Sequence, residues 1–272
     1  MLEKKFGIEI HPTWHDTADS SPEVFVADVR SELARILRSQ AGEAIANSLQ
    51  FHRKTILLMP YEGQDCGAQT DSVSANNRQT VVLYTARLLR ASPCSNKKKG
   101  GNNATLPHEI LFHELVHALR RVSHNNHPRK VTGKLMGYTD TEEFLSILVT
   151  NIFIADASNP HKSGLRGNHE AHQSLDRDLA DSFRFFRIGM QAFHIIESFC
   201  DENRGFAGLL ARIRAPFNPV AAFFRDRRKS FDMAAEGDAE GVFNGLIPTD
   251  YYQKPSGAWT RIGQFPRPKL GR

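Results

Sequence analysis

Residues 106–122 read LPHEILFHELVHALRRV, an apolar, helix-forming stretch in which His113-Glu114-Leu115-Val116-His117 spells H-E-x-x-H. Residues four apart share one face of a helix, so the His113 and His117 imidazoles can point at a single zinc ion. Glu114 lies about 100° around the axis from His113. That puts its carboxylate beside the metal rather than on it, within reach of the proton of a metal-activated water. Two chance histidines on a half-buried helix would give the same letters. The helical context, apolar Leu115 and Val116, and acidic residues downstream favour the metal.

The remaining composition is that of an ordinary globular chain. It has 272 residues, 40% hydrophobic and 24% charged, with mean hydropathy −0.42, enough for one domain or two small ones. No apolar run approaches the roughly 20 residues needed to cross a bilayer, and residues 1–16 lack the apolar core of a Sec signal peptide. Cys66, Cys94 and Cys200 are odd in number and widely spaced, so no disulfide framework or thiol nucleophile is expected and a reducing compartment fits. Asn103-Ala104-Thr105 is a glycosylation sequon left idle without a secretory signal. A net charge of +5 and a pI near 9.2 would tolerate an acidic partner. The basic runs Lys97-Lys98-Lys99 and 225–229 (RDRRK) carry no interleaved aromatics, so they read as solvated surface rather than a nucleic-acid face.

Along the chain, residues 1–20 mix charge with proline and small polar residues and read as a flexible N-terminus. Ser21-Pro22-Glu23 opens a helix as N-cap, N1 and first-turn acid, continued by Phe25, Val29, Leu33, Ile36 and Leu37 and interrupted at Gly42. Residues 54–59 (KTILLM) and 80–85 (TVVLYT) read as strands separated by a polar loop at 62–78. A loop at 92–103 leads to Thr105 as N-cap of the motif helix, which fades before Pro128. A core helix begins near Thr141, and further helices are expected over 174–200, 205–213 and 219–228. Residues 21–230 form the single domain on this reading, and 231–272 are loop-rich or partly disordered.

A catalytic zinc takes three protein ligands and keeps one position for water. Extension to H-E-x-x-H-x-x-G-x-x-H fails, because Arg120 stands where glycine is needed and Ser123 where histidine is needed. The alternative is a carboxylate from the following helix. Glu142 and Glu143 both sit in its first turn, where either could ligate or merely favour the helix dipole. Ser146 and Val149 continue the face of Glu142, and Ile147 and Thr150 that of Glu143, so periodicity leaves the choice open. Tyr138, a few residues ahead, is a candidate hydrogen-bond donor to a tetrahedral intermediate.

The order H-E-L-V-H, then Gly137-Tyr138-Thr139, then Glu142-Glu143-Phe144 and an apolar helix resembles the NleD-like zinc metallopeptidases. These are bacterial type III secretion effectors that include the XopG-type proteins. Asn151-Ile152-Phe153 followed by Leu165-Arg166-Gly167-Asn168-His169 is similar as well. The resemblance covers residues 106–175, and His172 departs from its usual pattern. It implies an α+β, zincin-like fold, mostly helical with a small sheet packed beside the motif helix. It implies one catalytic Zn2+ held by His113, His117 and Glu143, with Glu142 as the alternative ligand, Glu114 as general base and Tyr138 as a transition-state residue. His169 would sit at the site's rim or in a structural hydrogen bond. Delivery into a host cell's cytoplasm follows from the same resemblance; residues 1–20 are where a secretion signal would sit, though such signals carry little pattern of their own. So does cleavage of a host signalling protein such as a mitogen-activated kinase. By analogy with zincins, 80–85 would be the edge strand that aligns an extended peptide. Two other classes compete: a closed, non-catalytic zinc module using Glu142 or a further histidine (His124, His127 or His169), and a basic nucleic-acid-binding protein.

Overall fold

The structure is a computed structural model that describes residues 3–12, 21–61, 68–72, 79–90, 106–168, 173–243, 251–253 and 259–261. Its centre is a mixed four-stranded sheet formed by β1 (Ile8–Ile10), β2 (Ile56–Met59), β3 (Gln69–Ser72) and β4 (Thr80–Leu83), in the order β1-β2-β4-β3. β1 and β2 run parallel, as do β2 and β4, whereas β3 is antiparallel to β4 with Thr70 opposite Val82. Thr80, Val81 and Val82 of β4 are all buried, the continuous run expected of a strand with neighbours on both edges.

Nine helices are assigned among the described residues: α1 (Pro22–Ile36), α2 (Gln40–Phe51), α3 (Ala86–Arg90), α4 (Pro107–Val122), α5 (Thr141–Ala155), α6 (Met190–Glu202), α7 (Arg204–Leu210), α8 (Pro219–Arg225) and α9 (Arg227–Phe243). The class is α+β, mostly helical, as expected. The motif helix α4 lies on β3 and β4 and touches α1, α2, α3 and α5. That surrounds it on nearly every side, and only Ile110 and Arg121 between Pro107 and Val122 are less than fully buried. Phe112 of α4 stacks on Phe153 of α5 with ring centroids 4.2 Å apart. The hydroxyl of Tyr84, just past β4, donates to the Pro107 carbonyl at 3.0 Å and pins the start of α4 to the sheet.

Several expectations change here. Residues 3–10 are part of the fold: Phe6 is buried in the core and β1 pairs with β2. The apolar alternation Phe6, Ile8, Ile10 is short and flanked by charge, so composition hid it. The helix break falls at residues 37–39, where Ser39 caps α2, while Gly42 lies inside α2. A Cβ on Gly42 would come 1.8 Å from the Ile36 carbonyl oxygen, so this glycine lets the two helices touch. The polar loop at 62–78 contains β3, which makes β4 an interior strand; 80–85 is therefore not the sheet edge. Residues 174–183 are irregular, and a 3-10 turn (Arg184–Ile188) precedes α6. α9 continues past residue 230, with Ala234 buried and Gly237 against Arg187, so the packed unit extends beyond both limits of 21–230. β5 (Tyr251–Gln253) and β6 (Trp259–Arg261) form a two-stranded hairpin. The N-cap of the motif helix is Leu106 rather than Thr105; Cys66, Cys94, the triple lysine, His169 and His172 lie outside the described residues. Cys200 is a buried free thiol. No helix among the described residues is long and apolar enough to cross a membrane.

Candidate metal centre

The start of α4 is built before its chemistry. Leu106 occupies the N-cap position with extended backbone and Pro107 follows at N1. The Glu109 carboxylate accepts from the Leu106 amide at 3.0 Å and from the Ser163 amide and hydroxyl at 3.0 and 2.7 Å. One buried acid thus serves an orphan donor of the first turn and fastens the loop after α5 to this end.

Two turns on, His113 and His117 meet as their spacing requires, with Nε2 atoms 3.1 Å apart. Glu143 enters from α5 with its two carboxylate oxygens 3.2 Å from the two Nε2 atoms, one each. The ligand atoms of these three residues all lie within 4.8 Å of one another, and among the described residues no other His, Cys, Asp or Glu group of three or more does this. Ligands about 2.0–2.1 Å from a tetrahedral zinc are themselves about 3.3 Å apart. Two imidazoles and one carboxylate converging at this spacing suit zinc in both geometry and donor type.

Glu143 is aimed by its own helix start. Asp140 caps α5, its Oδ1 accepting from the Glu142 and Glu143 amides at 2.8 and 3.0 Å. Adjacent residues then leave the helix about 100° apart. Glu143 faces the histidines, and Glu142 faces Arg120, accepting from Nε and, at 2.9 Å, from Nη2. Glu142 also takes the His127 amide at 3.0 Å. Glu142 is therefore committed to a buried ion pair and does not join the cluster. The residue that excluded the longer zinc motif, Arg120, is the one that removes Glu142 as a ligand. His124 is turned away, its Nε2 2.8 Å from Lys54 Nζ, and His127 meets Glu142 and Thr141 through its backbone.

The charges in the cluster follow from burial and proximity. Burial drives His113 down to about 3, against the pull of Glu143. Burial also depresses His117, but hydrogen bonding to Glu143 and the charges of Glu114, Glu143 and Glu142 outweigh it and raise its pKa. Glu143 is held far below the usual carboxylate range: burial alone would raise it, and its two histidine partners more than reverse that. The shared Glu143 carboxylate therefore favours the protonated form of His117 more than that of His113. Ser146 on α5 sits 3.2 Å from His117 Nδ1, a partner that fixes the ring and leaves Nε2 for the centre.

Glu114 is buried beside this group, and burial raises its pKa above the ordinary carboxylate value. Its Oε2 accepts from the Thr70 hydroxyl of β3 at 2.7 Å. Tyr138 ends the 3-10 turn Gly133–Tyr138 and packs edge-on against Phe144, with centroids 5.2 Å apart. Burial raises its phenol pKa while the Arg166 charge lowers it, and the phenol remains a neutral donor. Thr139 follows at the centre of a γ-turn with positive φ (φ 62°, ψ −57°), its geometry letting the Asp140 amide donate to the Tyr138 carbonyl at 2.7 Å. This strained turn couples the tyrosine to the cap of α5.

Arg166 is the residue that sequence reasoning passed over. It is buried, and its charge bears on Glu109, Glu143, Glu114, Tyr138 and His113. Asn151 of α5 grips its backbone from both sides, donating to the Arg166 carbonyl at 2.9 Å and accepting its amide at 2.8 Å. Gly137 lies against Asn168, where a Cβ would stand 3.2 Å from the Asn168 Cβ. The segments around Tyr138 and Arg166 therefore form one wall. An arginine inside the quoted block Leu165–His169 was the available signal, and nothing in its spacing ties it to the motif helix.

Comparison with family models, with curated proteins and with solved structures finds no match for the chain.

Proposed function

We propose that this protein is a zinc-dependent endopeptidase with a zincin-like arrangement of motif helix and sheet. The single observation that carries the reading is the convergence of His113, His117 and Glu143 with Glu114 held beside them on the sheet side. A zinc ion on these three residues would supply a Lewis acid for a peptide carbonyl and bring the pKa of water toward neutrality. The buried Glu114 carboxylate, its pKa raised by burial, would accept a proton and later deliver it to the leaving amine. Tyr138, kept protonated by burial, would donate to the carbonyl oxygen as charge develops there, and the Arg166 charge would favour the same anionic state. An extended peptide fits along β3, the sheet edge on the side of the motif helix.

The resemblance to NleD-like effectors extends the proposal to delivery by a type III system and to a host signalling protein, such as a mitogen-activated kinase, as substrate. The test joins metal analysis to detection of new protein N-termini in host extract. Wild type should hold one zinc and generate new termini. Glu114→Ala should hold zinc and generate none, and His113→Ala should lose both. Bound zinc without any Glu114-dependent cleavage would establish the non-catalytic module instead.

A further inference from the structure

β3, the polar strand at one edge of the sheet, lies against the motif helix beside Glu114. Of its residues Gln69–Ser72, Thr70 is buried while Gln69 and Asp71 are exposed. The Thr70 hydroxyl oxygen lies 2.7 Å from Glu114 Oε2 and 3.0 Å from the Glu114 carbonyl oxygen, across 44 positions of sequence. A hydroxyl has one proton to donate. The carbonyl belongs to the interior of α4, where it takes the amide one turn on. The carboxylate is the nearer and the charged acceptor, and 2.7 Å is a separation typical of a charge-assisted O–H···O bond. The proton therefore belongs on the line to Oε2.

Resting on the peptidase reading, we infer that Thr70 is a positioning residue for Glu114: its hydroxyl occupies Oε2 and leaves Oε1 as the proton-transfer atom. The last torsion of a glutamate is broad and roughly two-fold, so an unheld carboxylate samples many planes. A donor fixed on a strand removes that freedom. Because the donor sits on the edge strand where a peptide would lie, seating of the substrate and aim of the base become one mechanical unit. Proton balance is unaffected, since Thr70 donates its hydroxyl hydrogen bond to Oε2 whether or not Oε1 carries a proton.

The variants are Thr70→Val, which keeps shape and strand preference but removes the donor, and Thr70→Ser, which keeps the donor. Both are read on the zinc-loaded protein with a fluorescence-quenched peptide library as probe. They are also read by the carboxyl 13C signal of Glu114 in labelled protein with and without zinc. Thr70→Val should lower kcat about 10- to 100-fold with KM and zinc stoichiometry close to wild type. It should also move the Glu114 signal, and Thr70→Ser should restore both. Should Thr70→Val fail to fold, Thr70→Ala is read in the same two ways. Unchanged kcat with an unmoved carboxyl signal overturns the assignment, as does a loss confined to KM. If wild type shows no Glu114-dependent cleavage, the peptidase reading fails. The carboxyl signal then decides the Thr70 contact by itself, a moved signal supporting it and an unmoved one refuting it.

Discussion

Replacing Glu142 with alanine should unfold this protein far more readily while leaving its metal site intact. The buried Arg120 guanidinium loses both of its Glu142 hydrogen bonds, and the His127 amide loses its acceptor. Arg120 keeps the Asn125 carbonyl and a cation–π contact with Phe199 at 5.8 Å. Removing one member of a buried ion pair typically costs roughly 3–5 kcal/mol, because the other charge stays buried without compensation. Glu202 Oε2, already 3.8 Å from Arg120 Nη2 and partly exposed, can swing in, which puts the expected loss near the lower end, about 3 kcal/mol. For a chain of this size that corresponds to a fall in Tm of about 6–12 °C. Urea unfolding of the zinc-free protein measures the loss, and metal analysis of the loaded protein should still find one zinc. The double variant Arg120→Met with Glu142→Leu removes both charges and should recover most of the stability. A loss below about 1 kcal/mol, typical of an exposed pair, would refute the reasoning, and so would loss of zinc.

Zinc affinity should depend on pH through His117. Its raised pKa means a proton must leave before Nε2 can ligate, so affinity is full above that pKa and falls about tenfold per pH unit below it. His113, at about 3, and Glu143, held well below the ordinary carboxylate range by the two histidines, do not compete near neutrality. Chelator competition at several pH values should therefore give a slope of one proton between about pH 5 and 6.5; a slope of zero or two contradicts it. Tyr138→Phe should keep zinc and KM while lowering kcat by about 100-fold or more, as for loss of one oxyanion donor, in the same peptide-library assay. Phe6→Ala should cost roughly 3–5 kcal/mol in urea unfolding, whereas a flexible N-terminus would give no loss.

What could be read from the chain was whatever depends on neighbours within a few residues. The i, i+4 pairing of His113 and His117, Ser21 as the cap of α1, the start of α5 and the apolar strands β2 and β4 are local in this sense. What stayed hidden needed neighbours distant in sequence. Glu142 and Glu143 are equivalent in any helical pattern, because both leave a first turn whose helix is buried nearly all round. Only Arg120 on one side and two imidazoles on the other separate the acid of a buried ion pair from the acid of the histidine cluster. β3 is polar because it is an edge, and its buried Thr70 has meaning only once α4 lies across it. Arg166 reaches the site through a loop gripped by Asn151, a contact that no periodicity encodes. The motif helix presents two imidazoles and a carboxylate by its own geometry. Tertiary packing supplies Glu143 beside the imidazoles, Thr70 beside Glu114 and the charge of Arg166 around them, since each of these comes from a different element.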